Sequence, residues 1–152
     1  MNLRTAGPQD VQILINLNDE VFVDNSKYDS DIITDWAQSP LGKSYFTQIV
    51  SDPNSICLIA EENGKAVGYI NAAPKEFDYR RKKYIEVQNM GVSPDFRSKG
   101  IGAQLMKECL RIAKERGFEA VYVESYYHNS KAVAFYEKVG FKRIDLGLER
   151  DI

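Results

Sequence analysis

The residues best suited to do chemistry stand together in the run Val92-Ser93-Pro94-Asp95-Phe96-Arg97-Ser98-Lys99-Gly100-Ile101-Gly102. An apolar strand ends here, a proline turn follows, and a helix begins among glycines. A helix start leaves several backbone N–H groups unpaired, with the positive end of the helix dipole behind them. Gly100 and Gly102 carry no side chain, so a bulky anion can approach that backbone closely. Arg97 and Lys99 bring positive charge to the same spot. This is the chemistry of a pyrophosphate cradle. A P-loop would place its lysine after the glycines, whereas Lys99 precedes them. A dinucleotide fingerprint would sit near the first strand with Gly-x-Gly-x-x-Gly spacing, and this segment meets neither condition.

A second constellation lies downstream, in Asn129-Ser130-Lys131-Ala132-Val133-Ala134-Phe135-Tyr136-Glu137-Lys138-Val139-Gly140-Phe141. With the Arg-x-x-Gly-x-Gly spacing of the cradle, it resembles the signature of the GNAT superfamily of acyl-CoA-dependent N-acetyltransferases. The downstream run matches that family's Asn-x-x-Ala-x-x-x-Tyr-x-x-x-Gly-Phe pattern at every fixed position. In the cradle, Ser98 stands where the family usually has glycine.

The resemblance covers essentially the whole chain. It implies an α/β GNAT fold in a single domain over 1–152, with a mixed central sheet flanked by helices on both faces. It implies acetyl-CoA as acyl donor, held by Met90, Gly91, Val92, Arg97, Ser98, Lys99, Gly100, Ile101, Gly102, Asn129 and Tyr136. The strand before the cradle is expected to turn irregular near Asn89 to Gly91 and to splay from its parallel neighbour, so that pantetheine pairs with its backbone. The N–H groups near Gly91 and Val92 would polarise the thioester carbonyl. Tyr136 takes the role of general acid toward the departing thiolate, or else covers the coenzyme. Asn129 caps a helix, binds the pantetheine amides, or does both. Glu86 is the candidate base for the amine, directly or through a water, with Glu124 as runner-up. The plainer reading of Glu86 is a strand carboxylate paired with Lys83 or Arg81.

Elements that could position these groups follow from pattern. Asn2 to Ala6 reads as a strand, and Gly7-Pro8 opens a helix with Val11, Leu14, Ile15 and Phe22 at near-helical spacing. Helical pieces are expected at Ile32 to Ala37 and at Gly42 to Ile49. Ser55 to Glu61 and Ala66 to Ala72 form a hairpin around Asn63-Gly64. Lys83 to Val92 is a strand, Gly100 to Arg116 a helix capped by Gly117, and Ala120 to Tyr126 a strand. Asn129 to Val139 is a helix stopped by Gly140, and Phe141 to Asp151 is expected as a closing strand. The family usually ends on two strands, so this shorter tail points to a more open acceptor side or to completion by a second subunit. A homodimer is therefore an expectation.

Composition narrows the partners. Twenty basic against 22 acidic residues argue against nucleic acid as main partner. No apolar run approaches membrane-spanning length and no signal-peptide core opens the chain, so a cytoplasmic location is expected. Cys57 and Cys109 sit in apolar runs and read as buried free thiols, without metal-site or redox-pair spacing. No metal is expected. The acidic stretch from Asp19 to Asp35 reads first as a solvated acidic surface, and could otherwise draw a cationic amine such as a polyamine, an aminoglycoside or a lysine side chain. Phe22, Tyr28, Trp36, Tyr45 and Phe46 could line a cleft or lie in the core, and Arg80-Arg81-Lys82-Lys83 could dock the coenzyme's phosphates or an acidic peptide but reads first as a solvated loop. Three functions fit: a small-amine acetyltransferase, a protein N-acetyltransferase, and a non-catalytic coenzyme-binding module. Keeping both Glu86 and Tyr136 disfavours the last.

Overall fold

Alternating side chains on the central strands decide the architecture. In β2 (Ile56–Glu62), Ile56, Leu58 and Ala60 face one side while Cys57 and Ile59 face the other, and all five are buried. A strand apolar on both faces demands a layer on each side. The computed structural model, which describes residues 1–152, supplies those layers. It runs β1 (Asn2–Thr5), α1 (Val11–Asn25), α2 (Pro40–Ser51), β2, β3 (Lys65–Lys75), β4 (Tyr84–Val92), α3 (Ile101–Glu115), β5 (Ala120–Val123) and α4 (Ser130–Lys138). The strands lie in chain order. β1 to β4 pair antiparallel, and β4 pairs parallel with β5 through the α3 crossover.

α1 and α2 cover one face through Leu14, Ile15, Leu17, Phe46 and Ile49. α3 covers the other with Ile101, Leu105, Cys109 and Ala113 spaced a turn apart, and α4 joins it through Phe135, Tyr136 and Val139. Helix boundaries follow local chemistry. Ser39 accepts from the Gly42 N–H at 3.1 Å ahead of Pro40, and α3 stops at left-handed Gly117. Asn63 (φ 51°) and Gly64 (φ 77°) make the primed hairpin turn between β2 and β3.

Two expectations fail, and a third is met one residue early. Phe141 to Asp151 forms no strand; residues 141–152 are irregular, with Ile144, Leu146 and Leu148 exposed. Their alternation suits a strand, but no partner backbone pairs with them, and a strand exists only in a ladder. Ile32 to Ala37 is not a helix; only the 3₁₀ turn Trp36–Gln38 forms, in an Asp-rich segment that favours turns. The irregularity of β4 falls at Gln88, since Asn71 faces Asn89 while Ala72 already faces Val87. From Asn89 through Gly91 the register is regular.

Candidate active site

β4 and β5 pair only from Tyr84 to Val87 against Ala120 to Val123. Beyond Val87, β4 runs on to Val92 with β3 on one side and no strand on the other. Ser93 donates to Val67 across the β3 ladder at 2.9 Å. Amides alternate along an antiparallel strand, so Gly91 also faces β3, and the N–H groups of Met90 and Val92 face the gap. The gap-facing donors are thus Met90 and Val92, and Gly91 is a glycine for a separate, steric reason. A Cβ there would fall inside Val21 of α1. Gly91 lets α1 lie against β4, a packing role where sequence had suggested a bulge.

The cradle stands at the end of this strand. Gly100 is left-handed (φ 80°), and nothing lies within 4 Å of where its Cβ would be. Ser98, in the place usually held by glycine, also takes positive φ (61°). The first bond within α3 runs from the Gln104 N–H to the Gly100 carbonyl, so the preceding amides at the helix start are available to an anion. Gly102 instead faces Met90 and Phe135, at 3.3 and 3.7 Å from an added Cβ, and serves packing. Lys99 lies over the Phe96 ring at 4.8 Å. Arg97 bends back: its Nε donates to the Val92 carbonyl at 2.9 Å, and its guanidinium donates to Asp24 of α1 at 3.1 Å.

Tyr136 packs between Phe135 and Phe141 on the α3–α4 face. Burial alone pushes its phenol up to about 12, so it stays protonated at neutral pH. Asn129 caps α4 by accepting from the Ala132 N–H at 3.1 Å.

Glu86 lies on the opposite face, because its neighbours Ile85 and Val87 point into the α3 core. Its carboxylate pairs with Lys75 of β3 at 3.4 Å, not with Lys83 or Arg81. Lys83 is over the Phe118 ring and Arg80 over Phe77 and Tyr84. Glu86 and Glu124 share a cavity of about 570 Å³ with Asp31, Ile33, Gln88 and the rings of Phe22, Trp36 and Tyr45. Tyr28 and Phe46 do not line it; Phe46 is in the core and Tyr28 stacks on Tyr126. The Tyr45 hydroxyl accepts from Asn71 (2.7 Å) and Asn89 (3.1 Å) and donates to Gln88 (2.6 Å), pinning the bulge to α2. Asn18 donates to Tyr69 at 2.8 Å and Asn89 at 3.3 Å, extending the network to α1. Asn18 and Asn71 interrupt apolar runs, a sign in the sequence that went unread.

The thiols of Cys57 and Cys109 are buried, which pushes each up to about 12 and leaves neither suited to carry an acyl group. No helix is long and apolar enough to cross a membrane.

Fold and site together define a class, and comparison with known proteins agrees. The sequence matches the Acetyltransferase (GNAT) family over residues 17–141. An uncharacterized N-acetyltransferase of Archaeoglobus fulgidus is 33% identical over 106 residues, which is 69% of this chain and 72% of that protein. Matches to relatives from Methanocaldococcus jannaschii and Bacillus subtilis span only 44% and 59% of their lengths. Among solved structures, a mutant of the BH1408 protein from Bacillus halodurans superposes with a TM-score of 0.86 at 22% identity, covering 100% of this chain and 99% of its own. A predicted acetyltransferase from Clostridium acetobutylicum, solved with acetyl-CoA, gives 0.80 at 23% identity over 99% of this chain and 95% of its own. The chain belongs to the GNAT family and has its fold.

Proposed function

We propose that this protein moves an acetyl group from acetyl-CoA to a primary amine by direct transfer in a ternary complex. The observation that carries the reading is the open gap between β4 and β5. It joins the anion cradle and Tyr136, on the α3–α4 face, to the cavity holding Glu86 on the other. The residues fit the coenzyme: free amides at the start of α3 suit the pyrophosphate, and the unpaired edge of β4 suits pantetheine. Bound there, acetyl-CoA supplies an activated thioester.

The chain's own groups then divide the work. Met90 and Val92 offer N–H groups to the developing oxyanion. Glu86 accepts the proton of the attacking amine, directly or through a water, as the C–N bond forms. Tyr136 donates its proton to the sulfur as the C–S bond breaks. No acyl-enzyme is involved. The cavity is walled by Asp31 and Ile33 of the loop after α1, which favours a small amine over a protein chain.

Thiol release from acetyl-CoA, measured across polyamines, aminoglycosides, amino acids, N-terminal peptides and lysine peptides, tests the reading. Release above the acceptor-free blank is expected. Silence across the panel with acetyl-CoA still binding would favour a coenzyme-binding module.

A further inference from the structure

We infer that the acceptor carries two ammonium groups, as a short aliphatic diamine or polyamine does; this rests on the acetyl-transfer reading. The carboxylates lining the cavity are Asp31, Glu86 and Glu124, beside the Tyr45 phenol, and no lysine, arginine or histidine lines it. Lys75 lies outside the lining and offsets one charge through Glu86. A net charge of about minus two remains; Glu86 is part-buried while Asp31 and Glu124 are exposed, and a guest with one positive charge would neutralise only half of that charge.

Position points the same way. Glu86 lies opposite Tyr122 in the parallel register, and Glu124 follows two residues later. The Tyr122 hydroxyl donates to Glu124 at 2.8 Å and steadies it. With about 3.3 Å per residue along a strand and about 4.8 Å between strands, the two backbone positions stand roughly 8 Å apart. The two ends of a short diamine match that backbone separation, so that each can meet one carboxylate. Asp31 approaches from the loop on a third side.

The remaining wall is aromatic. Phe22 and Trp36 stack at 6.0 Å, and Trp36 meets Tyr45 at 5.6 Å. Such a wall suits methylene carbons and lends its faces to a cation. It offers nothing to a carboxylate, so free amino acids meet like charge. In transfer, the amine near the gap gives its proton to Glu86 and becomes the amide nitrogen. The second ammonium stays charged between Glu124 and Asp31 and takes no part in bond changes.

Calorimetric titration of the CoA-loaded protein with diaminobutane and with butylamine tests this. The diamine should bind about tenfold more tightly. Glu124→Gln and Asp31→Asn should each erase most of that preference, weakening the diamine far more than butylamine, with acetyl-CoA affinity unchanged. Equal affinity for the two amines, or no binding of the diamine, overturns the inference. Thiol release then separates it from the reading beneath. Diamine preference without release would keep the pocket and sink acetyl transfer. Release with equal kcat/KM for both amines would keep acetyl transfer and sink the two-charge acceptor.

Discussion

The phenol of Tyr126, just past β5, donates a 2.8 Å hydrogen bond to Asp29, 97 residues earlier in the chain. Tyr28 stacks on the same ring at 6.2 Å. Together they fasten the loop after α1 to the far wall of the cavity, and that loop carries Asp31 and Ile33. Tyr126→Phe should therefore raise the acceptor KM by about tenfold, the worth of one hydrogen bond to a carboxylate. The acetyl-CoA KM should not move. A parallel rise in both constants would mean general damage and remove the loop from acceptor binding.

In the proposed reaction Tyr136 protonates the departing sulfur, and burial alone keeps its phenol protonated. Tyr136→Phe keeps the ring between Phe135 and Phe141 and removes only the hydroxyl. Turnover should fall by about 100-fold or more with acetyl-CoA affinity unchanged. Steady-state rates beside direct coenzyme titration make the distinction, and an unchanged kcat would exclude the acid role.

Arg97 is engaged by Asp24, so a coenzyme phosphate bound as proposed would compete with a carboxylate for the same guanidinium. Arg97→Ala should weaken coenzyme binding, whereas Asp24→Asn should tighten it, by about threefold for an exposed pair. Raising salt should narrow the gap between wild type and Asp24→Asn. A weaker-binding Asp24→Asn would show the contact to be an organiser of the cradle instead.

Gly91 is where sequence and structure assign different duties. If its purpose is to admit Val21, Gly91→Ala costs about 1–3 kcal/mol in thermal or denaturant unfolding. Val21→Ala in the same chain should restore most of it. A stable Gly91→Ala protein with poor coenzyme affinity would return the residue to the binding site.

Asp10 is buried and accepts two 2.8 Å hydrogen bonds from Arg4 and one from the Gly7 N–H. Those from Arg4 are the chief reason its carboxyl is held below the ordinary value of 3.8, against the opposing effect of burial. The folded pKa is the lower one, so the stabilisation is present above 3.8 and fades as pH falls through the folded value. Asp10→Asn should cost about 3 kcal/mol near neutrality. The difference in Tm from wild type should shrink in acid, and a constant difference would contradict the assignment.

Most of the fold was legible because it rests on local rules. Asn63-Gly64 demands its turn, α3 repeats its apolar residues every turn, and Gly117 and Gly140 end helices in left-handed conformations. The cradle was legible for the same reason, being one continuous strand–turn–helix. What failed depends on partners distant in sequence. Ile144, Leu146 and Leu148 alternate like a strand, yet alternation cannot supply a neighbour. Lys75 as the counterion of Glu86 is invisible in the sequence, because only the β3–β4 register brings them together. The tie between Tyr126 and Asp29 crosses most of the chain and leaves no periodic trace.

The short pairing of β5 also sets where the protein is soft. β4 is laddered to β3 from Gly68–Val92 to Lys75–Tyr84, but β5 is held only from Ala120 to Val123 and on one side. Amide hydrogen exchange should therefore be slow along β3 and β4 and fast along β5. Glu86 rides on the stiff strand and Glu124 follows the soft one. The Glu86 side of the cleft is thus fixed while its far wall can breathe. Guests of different length would be fitted by moving that wall, without displacing Glu86.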